Sequence, residues 1–218
     1  MTDKTQRDLS DYRQRYLQGG LDENDVPKNP FELFSDWFAQ VEEAQLIEPN
    51  AMVVATVDAD GMPSTRTVLL KYFDESGFVF YTNFSSEKAK HIEHNPQVSL
   101  QFLWLGLERQ VKIQGIAEKV STTESLKYFA SRPKGSQIGA WVSHQSQVIS
   151  NKQLLLNQYQ KMVDKFKHGE VPFPDFWGGY RIKPLKIEFW QGGDNRLHDR
   201  IEYQRNNANG WQINRLAP

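Results

Sequence analysis

The hydrophobic pattern changes period near residue 50, from helical to strand-like, and the change divides the chain into recognisable elements. Asn29-Pro30 supplies a cap and a first-turn proline. Phe31, Phe34, Trp37, Phe38, Val41 and Ala44 then recur at helical spacing, which predicts a helix with one face on a core. From Ala51 the apolar residues favour strands, expected at 51–58, 65–72 and 78–83. Turn sequences Ala59-Asp60-Gly61 and Asp74-Glu75-Ser76-Gly77 separate them. Ser85 or Ser86 is placed to cap a short helix ending near Asn95-Pro96, and strands follow at 98–105 and 109–120.

Ser121-Thr122-Thr123-Glu124 reads as a capping box, opening a helix that stops before Arg132-Pro133. A further helix is expected at 150–167, with Leu155, Tyr159, Met162 and Phe166 on one face; Gly169, Pro172 and Pro174 end it. Three strands close the chain, at 180–183, 187–191 and 197–205, and Asn209-Gly210 turns the last into a partner at 211–216. Strands joined by short turns predict a mainly β protein, an antiparallel sheet closed as a barrel with helices added outside. There is no βαβ alternation and no glycine-rich dinucleotide fingerprint, so a Rossmann fold is not expected. No linker or repeat divides residues 29–218, which read as one domain. Residues 1–28 are polar and charged, and read as a mobile N-terminal segment. Trp37, Phe38, Trp104, Trp177 and Trp211 are expected in the core or an interface.

Composition narrows the function classes. With 218 residues, 39% hydrophobic and 24% charged, the chain has the make-up of an ordinary globular protein. The absence of cysteine excludes disulfides, thiolate metal sites and a cysteine nucleophile. A formal net charge of −1 argues against a nucleic-acid partner. The polar N-terminus and the lack of a long apolar run give the cytoplasm, with no membrane partner, as the expected location. His91 and His94 stand three apart on a helix, but no third ligand is evident; solvent exposure is expected, with no metal.

The densest chemistry lies in Ile187-Glu188-Phe189-Trp190-Gln191-Gly192-Gly193-Asp194-Asn195-Arg196-Leu197-His198-Asp199-Arg200. If 197–205 and the residues just before it are extended, Arg196, His198 and Arg200 alternate onto one face as a cationic, titratable row. Such a row suits a planar, anionic ligand. The competing reading is a solvated edge strand protected by its charges; Trp190, just before the turn, favours a binding face. Other clusters are individually weaker. Arg66, Lys71, Thr82 and Lys88 could hold a phosphate at the end of a sheet. Tyr128, Arg132 and Ser136 could hold a second, and Gln145-Ser146 could hydrogen-bond a heteroaromatic ring.

Taken in order, these segments resemble the pyridoxine 5′-phosphate oxidase family. Glu188-Phe189-Trp190-Gln191, four residues, then Arg196-Leu197-His198-Asp199-Arg200 is similar to its signature. Arg66-Thr67-Val68-Leu69-Leu70-Lys71, Phe80-Tyr81-Thr82-Asn83, Glu108-Arg109-Gln110-Val111, Ser131-Arg132-Pro133, Ser136-Gln137-Ile138-Gly139-Ala140-Trp141, Phe176-Trp177-Gly178-Gly179 and Arg215-Leu216-Ala217-Pro218 extend the resemblance over essentially the whole chain. The resemblance implies an antiparallel FMN-binding split β-barrel of Greek-key type with peripheral helices, acting as a homodimer. It implies oxidation of pyridoxine 5′-phosphate or pyridoxamine 5′-phosphate to pyridoxal 5′-phosphate by dioxygen, with hydrogen peroxide as product and ammonia released from the amine. By the same resemblance FMN is held by Arg66, Thr67, Val68, Leu69, Leu70, Lys71, Tyr81, Thr82, Lys88, Gln110, Gln145, Ser146, Trp190 and Arg200. The substrate meets Arg13, Tyr16, Lys71, Tyr128, Arg132, Ser136, Arg196, Leu197 and His198, with Arg196 and His198 in catalytic roles and residues 1–28 as a lid. Glu87 departs from the pattern, which often carries a basic residue there.

Three other readings compete. A related split-barrel flavin oxidase acting on another ring, as in phenazine biosynthesis, would not need the phosphate set Tyr128, Arg132 and Ser136. A non-catalytic flavin-binding protein is a second, and a single-strand nucleic-acid barrel is disfavoured by the charge balance.

Overall fold

The structure is a computed structural model, and it describes residues 15–17, 20–143, 145–208 and 210–218. Five α-helices surround nine strands: α1 Pro30–Glu43, β1 Ala51–Val57, β2 Pro63–Leu69, β3 Tyr72–Asp74, β4 Gly77–Asn83, α2 Glu87–His94, β5 Gln97–Trp104, β6 Arg109–Lys119, α3 Thr122–Ser131, α4 Lys134–Val142, α5 Lys152–Lys165, β7 Trp177–Gln191, β8 Asp199–Arg205 and β9 Trp211–Arg215. Every strand pairing is antiparallel.

The strand order is β2-β1-β5-β6-β7-β4-β3. It curls towards closure because β2 runs straight into β3, and the Lys71 N–H between them donates to the Val79 carbonyl of β4. With β2 and β3 taken as one bent strand, β1, β2/β3 and β4 follow one another and β5 returns beside β1, a Greek key. The split is visible on β7. One edge of β7 pairs with β6, while the other receives β4 along residues 177–182 and β8 along residues 186–191. Phe34 of α1 is fully buried and plugs the barrel, meeting Phe73, Phe78, Phe102 and Trp104. Phe129, Ile138, Val142, Val171 and Trp177 form a second, smaller core under α3, α4 and α5.

The structure corrects several expectations. The strand expected at 65–72 breaks at Leu70-Lys71, because both backbone groups of Leu70 turn to Asn50. The strands expected at 180–183 and 187–191 are one, β7, carried past Pro184 by a bulge. There Gly115 faces Pro184 and Gln114 faces Lys186, leaving Leu185 as the extra, exposed residue. Gly115 permits it, since a Cβ there would lie 2.2 Å from the Lys183 carbonyl oxygen. Helix α4 occupies a stretch for which the pattern predicts no element. The capping box is half made: Ser121 Oγ accepts from Glu124 N–H at 3.1 Å, but the Glu124 carboxylate pairs with Arg181. The last hairpin is closed by a five-residue loop from Asn206 to Gly210 in which Asn206 Oδ1 accepts from Ala208 and Gly210; Asn209 lies outside the described residues. His91 is half-buried, with Nδ1 3.1 Å from Thr56 Oγ1, while His94 is exposed. Among the described residues, no helix is long and apolar enough to cross a membrane.

Candidate functional site

The kink after β2, the end of β4 and the starts of α2 and α4 converge on a cavity of about 840 Å³. Arg66, Thr67, Val68, Leu69, Lys71, Tyr81, Thr82, Lys88, Tyr128, Arg132, Ser136, Gln145 and Ser146 all line it, so segments far apart in sequence meet in one place. Leu70, at the kink after β2, is instead buried in the barrel core, and its backbone is engaged by Asn50. Asn83, Glu87, Ala140, Ser143 and Trp177 also line the cavity; Asn83, Ala140 and Trp177 stand in the matching motifs and Glu87 departs from them, but none of the five was expected among the residues that hold a ligand.

Four cations therefore face one volume, and burial raises their cost. Arg66 is held by neutral acceptors: Thr56 Oγ1 at 2.6 Å, Ser64 Oγ at 2.9 Å and the Ser64 carbonyl at 3.0 Å. Lys88, 6% exposed, donates to the hydroxyls of Thr82 at 3.1 Å and Ser86 at 3.4 Å. Burial, with Arg66 adding to it, pushes the Lys88 ammonium down to about 8. Burial also lowers Arg132, whose guanidinium stacks 4.7 Å from the Trp177 ring centre. Tyr81, Tyr128 and Trp177 form a mutually stacked triangle, with Tyr81 4.0 and 5.3 Å from the other two centroids, and desolvation followed by nearby Glu124 raises the Tyr81 phenol. Tyr81 OH and Arg132 Nη1 are buried with no hydrogen-bond partner among the described residues. Such groups cost about 1–3 kcal/mol each unless something completes them. An anion with several acceptor oxygens does so, and the flat aromatic wall suits a ring attached to it.

A second cluster lies at the other end of β7. Gln110, Trp190 and Arg200 are direct partners across β6, β7 and β8, and such partners share a face. It is the face away from the barrel core, since Val111, Phe189 and Ile201, the adjacent rung, are fully buried. Gln110 Oε1 accepts from Gln101, and Arg200 is tied to Glu188 at 2.8 Å and to the Ala217 carbonyl at 2.7 Å. Burial pushes the Glu188 carboxyl up, but hydrogen bonds from Lys112 and Arg200 outweigh it and hold the group below its usual range.

Arg196, His198 and Arg200 do not form the alternating row expected of a strand. Asp194–Arg196 is a turn of 3-10 helix, Asn195 and Arg196 have φ of 54° and 64°, and β8 begins only at Asp199. The turn is closed by Leu197 N–H on the Asp194 carbonyl, and Gly193 N–H donates to His198 Nδ1 at 3.1 Å. A left-handed arginine costs roughly 1–3 kcal/mol and persists only where its surroundings hold it, as at functional sites. Arg196 and Leu197 project exposed, while His198 packs against Trp190 at 4.7 Å. Tyr16 crosses edge-on to both rings, seated on Gly192, where a Cβ would come within 2.7 Å of its ring. Arg13 lies outside the described residues. None of Gln110, Trp190, Arg196, His198 and Arg200 lines the cavity of this chain.

Residues 39–164 match the pyridoxamine 5′-phosphate oxidase family, and residues 177–218 match the C-terminal dimerisation region of pyridoxine 5′-phosphate oxidase. The second match contains Trp190, Arg196, His198 and Arg200. A pyridoxine/pyridoxamine 5′-phosphate oxidase from Hydrogenovibrio crunogenus is 64% identical over 96% of this chain and 98% of its own. Among solved structures, PhzG from Burkholderia lata, in complex with tetrahydrophenazine-1-carboxylic acid, is 28% identical, with a TM-score of 0.85 over 89% of this chain and 95% of its own. A pyridoxamine 5′-phosphate oxidase-related, FMN-binding protein from Nostoc punctiforme, 14% identical with a TM-score of 0.70 over 88% and 100%, shares the fold. Matched across both of its halves, the chain belongs to the pyridoxine/pyridoxamine 5′-phosphate oxidase family.

Proposed function

We propose that the protein is an FMN-dependent oxidase that converts pyridoxine 5′-phosphate or pyridoxamine 5′-phosphate to pyridoxal 5′-phosphate, working as a homodimer. The observation that carries the reading is the cavity itself: four cations, an aromatic wall and two buried polar groups without a partner among the described residues. That donor set fits a flavin bearing a phosphate, together with a second, phosphorylated ring. Tyr128, Arg132 and Ser136 are what a phosphate-free phenazine-type substrate would not need, and this favours a B6 phosphate.

In this reading Arg66, Thr82 and Lys88 take the FMN phosphate, with backbone groups of residues 66–71, Gln145 and Ser146 along the cofactor. Lys71, Tyr128, Arg132 and Ser136 take the substrate phosphate. The Gln110-Trp190-Arg200 rung and the Arg196-His198 turn come from the partner copy, which the dimerisation region supplies. When bound, FMN supplies the hydride acceptor and passes the electrons to dioxygen, yielding hydrogen peroxide. Arg196 is exposed and planar, so it can press the pyridine ring into place by stacking. His198 can take the proton lost from the substrate's oxygen or nitrogen, because its Nδ1 is engaged by Gly193 N–H, which leaves Nε2 for that task. Tyr16, from the segment expected to act as a lid, covers the same turn and excludes water.

The test is to titrate flavin-free protein with FMN, add pyridoxine 5′-phosphate without oxygen, and follow the flavin band. Bleaching on substrate addition, with colour returning in air as pyridoxal 5′-phosphate accumulates, is expected. A flavin that stays oxidised with both phosphorylated substrates would refute the activity.

A further inference from the structure

Glu87 is the one carboxylate among the described residues that line the cation-rich cavity. It opens α2, where a negative charge faces the positive end of the helix dipole, and its N–H is directed at Ser146 Oγ at 3.3 Å. Its Oε2 lies 3.5 Å from Arg66 Nη2. The other partners of that guanidinium are neutral, and three of them are 3.0 Å away or closer: Thr56 Oγ1, Ser64 Oγ and the Ser64 carbonyl. Thr56 is fully buried. Arg66 is thus oriented without Glu87, and the carboxylate is the loosest and most exposed member of the set, at 57% against 17% for Arg66.

We propose that Glu87 is a resident counter-anion that competes with the ligand phosphate for Arg66, and so sets how strongly the site prefers a phosphorylated flavin over an unphosphorylated one. The proposal rests on reading this end of the cavity as the seat of the FMN phosphate. Without ligand, Glu87 offsets the charge of Arg66 and Lys88. An arriving phosphate must displace the carboxylate or lie beside it as a like charge, and either lowers affinity. A ligand ending in a hydroxyl meets no such opposition, since a carboxylate accepts its hydrogen bond.

The experiment compares full-length wild-type protein, freed of flavin, with Glu87→Gln and Glu87→Lys. Each is titrated with FMN and with riboflavin, following quenching of flavin fluorescence. Glu87→Gln is expected to tighten FMN binding about tenfold, the size of an incompletely screened like-charge contact near a surface. Riboflavin should change by less than about twofold on the same scale. Glu87→Lys should move FMN further in the same direction, and roughly 1 M salt should shrink both differences. The rise in Tm at one FMN concentration should grow in the same order, as mass action requires. FMN affinity unchanged or weakened in Glu87→Gln overturns the proposal, as does an equal gain for both flavins. Wild-type protein that binds neither flavin overturns the cofactor reading beneath it, a result distinct from both.

Discussion

Replacing Lys88 with methionine should make the flavin-free protein more stable and the cofactor site worse. The ammonium is 6% exposed and meets only hydroxyls at hydrogen-bond distance. Its pKa falls from 10.5 to about 8, chiefly through burial and then through Arg66. That difference sets about 3 kcal/mol against the charged form at neutral pH. Methionine keeps the apolar stem and removes the charge. It also removes the bonds to Thr82 and Ser86, costing about 1 kcal/mol, so a net gain of about 1–2 kcal/mol is expected at pH 7. For a chain of this size the Tm should rise by about 3–6 °C. FMN should bind about one to two decades more weakly, for loss of a charged phosphate contact. The pH dependence has a definite sign. The folded pKa lies below the unfolded one, so the penalty is complete below pH 8 and disappears above 10.5; the stability gap between the two proteins should close across that window. Calorimetry of flavin-free samples from pH 7 to 10, with FMN titrations alongside, reads both effects. A lower Tm for Lys88→Met at pH 7, or unchanged FMN affinity, would refute the reasoning.

Three further outcomes are expected. Ser121→Ala removes the cap on Glu124 N–H and should cost about 1 kcal/mol, lowering Tm by about 2–4 °C while FMN affinity stays within error. Glu188→Gln leaves Lys112 and Arg200 without their shared carboxylate and should destabilise at pH 7. Because the native carboxyl is held below its unfolded range, its contribution is present above the unfolded value of 4.5 and lost as pH falls through the lower folded value; urea midpoints of the two proteins should converge as the pH is lowered below 4.5. Arg196→Leu should slow flavin reduction in anaerobic stopped-flow by a larger factor than it weakens substrate binding, and lysine should rescue poorly; parent-rate reduction at a raised substrate concentration would make Arg196 a binding residue only.

Local chemistry made most of the elements legible. Asn29 caps α1 by accepting from Phe31 N–H, and the period of Phe34, Trp37 and Val41 predicts the face that fills the barrel. What the pattern could not show depends on distant partners. Lys183-Pro184-Leu185-Lys186 looks like a break between strands, and it becomes a bulge only because Gly115 lies opposite. Helix α4 has mixed composition and two glycines, and its apolar face acquires meaning only against α5 and Trp177. At the site, the basic and hydroxyl residues were readable as chemistry. Their convergence was implied only by the family resemblance and not by the pattern, because it arises from the kink at Leu70-Lys71 and the docking of α3 and α4. The alternating row of Arg196, His198 and Arg200 failed for a local reason: two consecutive left-handed residues turn the chain before β8 begins. Glu87 stood out in the sequence only as a departure from the family pattern; its contact with Arg66 needed α2 in place.

The most direct test of the account is whether two copies of the chain share one flavin site. The cavity holds the cations, while the Gln110-Trp190-Arg200 rung and the Arg196-His198 turn stand apart from it on the same chain. Mixing Arg132→Ala protein with Arg196→Leu protein, each nearly inactive alone, and allowing subunits to exchange gives the measurement. A mixed dimer carries one site with both lesions and one site with neither, so pyridoxine 5′-phosphate oxidation should recover towards a quarter of the wild-type rate per chain in a statistical mixture, an order-of-magnitude expectation from isologous symmetry. Exchange demonstrated by sedimentation with no recovery of activity would contradict a site built from two copies.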